Sequence, residues 1–202
     1  MPIVAIWKNL GGGMKDRHIL MDAIAIINGG VMRLETGKKI EITKWDLIIA
    51  HPPCTYLYNV STRHHSVRMT PVNWINSSTL RRIQAMDFFM RFVYANCEKV
   101  AIENPVGIMN TAYRKPDQII EPYQFADSIE DKENYVTKRT CLWLKGLPLL
   151  KTNGLPKPNN EQLFGRFPSG KARTWEDAYA RGSVMRSKTF PGIAKAMAEQ
   201  WG

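Results

Sequence analysis

Three things are scarce in this chain of 202 residues. Cysteine occurs only as Cys54, Cys97 and Cys141. An odd number of widely separated thiols makes no disulfide framework and offers no paired zinc spacing, so any special role for one of them is chemical. Long apolar runs are missing too. No stretch approaches the roughly 18 to 20 uncharged apolar residues that a bilayer span requires, and Met1 to Leu10 lacks the basic start and apolar middle of a secretory signal. The expectation is a cytoplasmic protein with no membrane partner, built as a single domain over 1–202. Acids are the third scarcity: 18 Asp and Glu stand against 28 Lys and Arg, for a formal charge of +10. Cations in excess replace phosphate counterions, which points to nucleic acid as partner. Residues 151–188 hold eight Lys or Arg against three acids, Glu161, Glu176 and Asp177, in a Pro/Gly-rich, loop-like segment.

Several local patterns are present. Ile3 to Trp7 reads as a strand before the glycine run Gly11 to Gly13, and residues 18–27 are apolar without a decisive period. "VMRLETGKKIEI" (31–42) has two β-prone arms around Thr36-Gly37, a hairpin signal. Trp45 to Ala50 is the apolar run of a strand covered on both faces, and Pro52-Pro53 ends it. From Ser77 the pattern is helical. Ser78 and Thr79 offer N-cap oxygens, Leu80, Ile83, Met86, Met90 and Val93 form a stripe, and Arg81, Arg82, Asp87 and Arg91 lie off it. "KVAIENP" (99–105) is a second short strand closed by an acid and a proline. Strand, helix and strand of these lengths predict a right-handed βαβ crossover that sets Ile49 and Ile102 side by side. "TCLWLKGLP" (140–148) reads as a later strand. Thr189 to Trp201 reads as a closing helix with Ile193, Ala194, Met197 and Trp201 on one face.

In open α/β sheets, ligands bind beyond the carboxyl ends of the strands, where His51-Pro52-Pro53-Cys54 and Glu103-Asn104-Pro105 both fall. A thiol on a rigid loop there is a candidate nucleophile, and a neighbouring carboxyl can hold or protonate a heterocycle. Either motif alone is explained by a proline stop and a small filler thiol. Two at adjacent strand ends favour a site.

"PPC" at 52–54 after one strand and "ENP" at 103–105 after the next resemble the catalytic pair of the DNA cytosine-5 methyltransferases. "KWDLIIAHPPCTYL", "AIENPVGIMN", "RKPDQIIEPYQF", "KRTCLWLKGLP" and "RSKTFPGIAKAMAEQW" are similar to phage and prophage members of that family, over residues 44–150 and the last 17. The resemblance implies an α/β, Rossmann-like methyltransferase fold with a largely parallel sheet, double-stranded DNA as partner and S-adenosylmethionine as cofactor. It also implies roles. Cys54 adds to C6 of a flipped cytosine, Glu103 grips N3, and Arg139 lies near the base. Pro53, Asn104 and Pro105 shape the loops around the base, with Arg63 and His64 on the DNA side. Asp22, His51, Pro52 and Thr189 fall on the cofactor side, and Ser187 is a further candidate contact. The basic segment 151–188, with Phe164, Phe167 and Trp175, becomes the target-reading part, unless those rings form a small satellite core.

A free thiol titrates near about 8.5, so the chemistry also requires positive potential or a base beside Cys54. His51, Arg63, His64 and His65 are the candidates on its loop. His64-His65 lacks a third metal ligand, and no metal is expected.

Two departures from the family stand out. Its opening strand, glycine loop, helix and acid-ended second strand are largely missing before Trp45, unless Ile3 to Trp7 takes the first strand's place, and Thr55 stands where a glutamine is common. The alternative to an enzyme is therefore a methyltransferase-like DNA-binding or interaction module that has lost its cofactor. A cysteine hydrolase pairing Cys54 with a histidine is a third reading, and it leaves Glu103 unexplained.

Overall fold

The computed structural model describes residues 3–7, 19, 21–58, 77–179 and 189–202. The chain divides into two compact units, one of residues 1–118 with 141–147 and one of residues 119–140 with 148–202.

The first unit opens with strand β1 (Ile3–Trp7) and a short helix α1 (Ala23–Ile26). Asp22 caps α1, its carboxylate accepting the Ile24 N–H at 3.0 Å. Strands β2 (Gly30–Arg33) and β3 (Lys39–Ile42) pair antiparallel with Gly30 opposite Ile42, the hairpin that residues 31–42 predict. Its turn needs Gly37, whose φ of +85° is a conformation that L side chains rarely adopt. Strand β4 (Leu47–His51) follows, with Ile48 and Ala50 fully buried. Helix α2 (Ser77–Val93) carries the chain back to strand β5 (Val100–Pro105), parallel to β4. Ala50 lies beside Ile102, one residue from the expected Ile49–Ile102 alignment. A short helix α3 (Met109–Ala112) succeeds β5, and strand β6 (Gln118–Ile120) lies where the chain leaves this unit.

The sheet is mixed, a correction to the largely parallel expectation. Its strands in this unit run in the order β1, β4, β5, β7, the last being Thr140–Lys145. β1 lies beside β4 but antiparallel to it, with Ile3 opposite His51 and Trp7 opposite Leu47. Five apolar residues carry no directional signal, because alternation and β propensity read the same from either end. Asp117 fastens β7: its carboxylate accepts the Leu144 N–H at 2.6 Å and an Arg114 N–H at 2.7 Å. Burial alone would raise its pKa, but these bonds hold it below the usual aspartate value.

Helix α2 forms where expected, and Met86, Met90 and Val93 of the expected stripe pack against the core, but the stripe's first two members face outward. Leu80 and Ile83 are 45% and 51% exposed, whereas Phe89 and Phe92 are 0% and Arg82 is 8% exposed. Ser78 and Thr79 lie within the first turn rather than at its cap. From Ile83 onward Gln84, Asp87 and Arg91 share one exposed face, toward which Leu80 and Ile83 also turn, and the inner face lies opposite. The bulkier aromatics decide it: the Phe89 ring meets Trp143 edge-on at 5.1 Å, and Phe88 meets Phe92 at 5.2 Å.

The second unit is loop-rich. A 3₁₀ turn, Pro122–Phe125, precedes a loop organised by Asp131, which accepts backbone N–H groups of Asp127, Glu133 and Asn134. Two short helices, α4 (Asn160–Phe164) and α5 (Trp175–Tyr179), interrupt the basic segment. The closing helix α6 (Pro191–Trp201) buries Ile193, Ala196, Met197 and Trp201. Ala196, not the expected Ala194, completes that face, because it lies three residues from Ile193 on the inner side. Among the described residues, no helix is long and apolar enough to cross a membrane.

Two outcomes follow from this packing. Phe92→Ala should lower the unfolding free energy by about 3–5 kcal/mol and Ile83→Ala by no more than about 0.5 kcal/mol, read from denaturant midpoints. Asp117 has a depressed folded pKa, so its contribution is present above the unfolded value of about 3.9 and disappears as pH falls through the folded value. In acid titrations of stability, Asp117→Asn should remove that part of the pH dependence.

Candidate functional site

Two loops leave the carboxyl ends of β4 and β5, and the parallel register brings them together. One step beyond the Ala50–Ile102 pair, His51 stands beside Glu103, and His51 Nδ1 lies 2.9 Å from Glu103 Oε2. The side chains are 13% and 21% exposed, so the pair is shielded on most sides yet reachable. With Glu103 ionised, Nδ1 carries the proton and donates it, which leaves Nε2 as an acceptor. On the opposite face of β5, Asn104 is 2% exposed and its side-chain amide donates to the Pro52 carbonyl at 2.8 Å. That carbonyl belongs to a buried proline beyond the end of the strand, so Asn104 supplies a partner that the sheet does not.

After Pro53 the chain makes a turn. The Cys54 carbonyl accepts N–H bonds from Leu57 and Tyr58, both at 2.9 Å. Leu57 is fully buried and anchors the turn, while Cys54 is exposed. The turn then docks on the β5 loop: Ile108 N–H donates to the Leu57 carbonyl at 2.8 Å, and Tyr58 bridges Gly107. Gly107 has to be glycine, because a Cβ there would overlap the Leu57 carbonyl oxygen. Helix α2 holds the turn from another side. Arg82 Nε donates to the Tyr56 carbonyl at 3.0 Å, and Arg81 Nη1 donates to the Tyr56 hydroxyl at 3.1 Å.

The structure thus gathers His51, Pro52, Pro53, Cys54, Glu103, Asn104 and Pro105 at the cross-linked carboxyl ends of β4 and β5 and on the turn that follows β4. Asn104 is a buried structural clasp rather than a group presented to a ligand, Pro53 is exposed and Pro105 half-buried. Asp22 is engaged as the cap of α1. Two candidates belong to the second unit. Arg139 is exposed just before β7, and Thr189 is half-buried one residue before Phe190, which occupies the N-cap position of α6. Arg63, His64, His65, Ser187 and the Gly11–Gly13 run lie outside the described residues.

In the basic segment, Trp175 is 9% exposed and packs edge-on against Phe190 at 5.1 Å, with Lys138 Nζ 5.5 Å from both rings. Trp175 therefore belongs to a satellite core. Phe164 and Phe167 are half-buried, and Arg173 lies 5.1 Å from the Phe167 ring.

Sequence reasoning missed Tyr56 and Arg82. Arg82 had a signal, since positions 79, 82, 89 and 92 fall on one helical face, but its charge placed it off the apolar stripe. A cavity of about 190 Å³ is lined by Val93, Val100, Ile102, Tyr113, Trp143 and neighbours, and it includes neither Cys54 nor Glu103. Among the described residues, no group of three or more His, Cys, Asp or Glu is placed to hold a metal ion.

Removing the clasp tests the arrangement. Asn104→Ala should cost about 1–3 kcal/mol, because it strands the Pro52 carbonyl, and should speed amide exchange at Leu57 and Tyr58 more than within β7. No protein-family model, no curated protein and no solved structure matches this chain.

Proposed function

We propose that this chain acts on cytosine in double-stranded DNA as a cytosine-5 methyltransferase of the phage and prophage type, with a Rossmann-like methyltransferase fold. One observation carries the reading: the Pro-Pro-Cys and Glu-Asn-Pro loops sit at adjacent carboxyl ends of parallel strands and are bonded to each other through Asn104 and Pro52. The formal charge of +10 supports a polyanionic substrate.

In this reading the Cys54 thiolate forms a bond to C6 of an extruded cytosine. The C5–C6 π electrons move onto C5 and the ring as Glu103 donates a proton to N3, which makes C5 nucleophilic. His51 fixes Glu103 by one oxygen, leaving the other for the base. An electrophile then adds at C5, the C5 proton passes to water, its electron pair re-forms the C5–C6 double bond as the thiolate is expelled, and N3 returns its proton to Glu103.

The described residues do not form the cofactor cradle that the family resemblance calls for. β1 runs antiparallel to β4, so its Trp7 end lies opposite Leu47, at the far end of β4 from Cys54, and Asp22 is engaged as a helix cap. This favours a second reading, a catalytically inactive methyltransferase-like DNA-binding or interaction module that does not bind S-adenosylmethionine. The His51–Glu103 bond also suits a cysteine hydrolase, in which an acid orients the base.

Exchange at C5 separates the three readings. DNA carrying [5-³H]cytosine should release tritium to water with the wild-type protein. Cys54→Ser should abolish the release and Glu103→Gln should slow it about 100-fold or more. Saturable S-adenosylmethionine binding with 5-methylcytosine as product supports the methyltransferase. DNA binding with neither tritium release nor S-adenosylmethionine binding supports the module, and burst hydrolysis of an activated ester without tritium release supports the hydrolase.

A further inference from the structure

We propose that the cavity between α2, β5 and β7 is a second binding site, and that its ligand is a small aromatic monocarboxylate. This goes beyond the cytosine reading and does not rest on it, because the cavity includes neither Cys54 nor Glu103.

All of the residues that line the cavity belong to the first unit. Its inner wall is apolar. Val100 and Ile102 of β5 and Trp143 of β7 line it and are buried, helix α2 adds Val93, and Tyr113 adds a second aromatic ring. Both rings meet Phe89, with centroids 5.1 Å away for Trp143 and 6.3 Å for Tyr113, so core packing fixes the wall whatever fills the space. The volume of about 190 Å³ exceeds the roughly 150 Å³ of an apolar cavity that takes up benzene. It falls short of the roughly 300 Å³ at which sites for drug-sized ligands begin. One ring with a small substituent is the size that fits.

Charge selects the substituent. The described residues that line the cavity include two cations, Arg114 and Lys145, and no acid. Arg114 is engaged: it pairs with the Asp117 carboxylate at 2.7 Å and donates to the Lys115 and Leu144 carbonyls, each at 3.2 Å. Glu98, whose backbone passes close to Gly146 just beyond Lys145, gives its carboxylate to Lys44 at 2.7 Å. Lys145 is exposed and donates to the Ala95 carbonyl at 3.0 Å. An ammonium has three N–H groups, so two remain for a ligand, and a carbonyl does not neutralise the charge. Among the described residues, no ion pair includes Lys145. A ring placed against Ile102 and Trp143 leaves water while a carboxylate on its edge meets the ammonium. A second negative charge would find no further unpaired cation in the lining, which favours a carboxylate over a phosphate.

The test is an NMR titration of the folded full chain with benzoate, with benzamide and acetate as controls. Benzoate should shift the Trp143 indole N–H and the methyl groups of Val100 and Ile102, and should saturate with a Kd of about 1 mM or tighter. Benzamide has the ring without the charge and acetate the charge without the ring, and each should bind at least about 10-fold more weakly. Lys145→Gln should weaken benzoate about 10-fold and leave benzamide unchanged, a split that a merely structural lysine would not produce. Val93→Phe fills the space and should abolish the shifts; if that variant does not fold, the three ligands on the wild type and on Lys145→Gln decide. The proposal is overturned by the absence of a saturable shift up to about 10 mM benzoate. Benzamide binding as tightly as benzoate, acetate reproducing the benzoate shifts, or a benzoate affinity unmoved by Lys145→Gln overturns it equally.

Discussion

The bond from the Asn104 amide to the Pro52 carbonyl is the constraint on which the candidate site depends. Two prolines end β4, and the second, like all prolines, has no N–H with which to continue a ladder. The first presents its carbonyl in a buried place, where a missing partner would be costly. Because β4 and β5 are parallel and in register at Ala50 and Ile102, the residue two steps further on β5 can reach that carbonyl. The same step places Glu103 against His51 on the other face. One register thus produces a buried clasp below and a largely shielded acid–imidazole pair above.

The rest of the first unit supports that arrangement. Gly107 allows the β5 loop to approach Leu57, and Ile108 closes the contact. The inward face of α2 joins the aromatic core around Phe89 and Trp143 to the cysteine turn through the bond from Arg82 to the Tyr56 carbonyl.

Much of this was legible in the sequence. The hairpin around Thr36-Gly37, the strand ended by Pro52-Pro53, and the crossover from β4 to β5 all rest on local punctuation and length, which tertiary context rarely overrides. The inner face of α2 was legible in part: Met86, Met90 and Val93 pack against the core, whereas Leu80 and Ile83 share the exposed face of Gln84, Asp87 and Arg91. The direction of β1 was not legible, since a short apolar strand reads identically both ways. Asp22 shows a further limit: the same acid suits a cofactor contact and a helix cap, and here it takes the cap. Arg82 illustrates the bias of counting charges as surface, for its stem packs inward while its head meets a loop carbonyl.

The central claim is that the thiol-bearing turn and the Glu103 loop are held as one piece. It can be measured with a nitroxide attached to Cys54, the exposed cysteine among the described residues, and NMR relaxation enhancement at backbone amides. The account predicts the strongest broadening at residues 103–108, matched on the cysteine's own turn and falling away toward Val100. Sharp, unperturbed signals from 103–108 beside a broadened cysteine turn would contradict it.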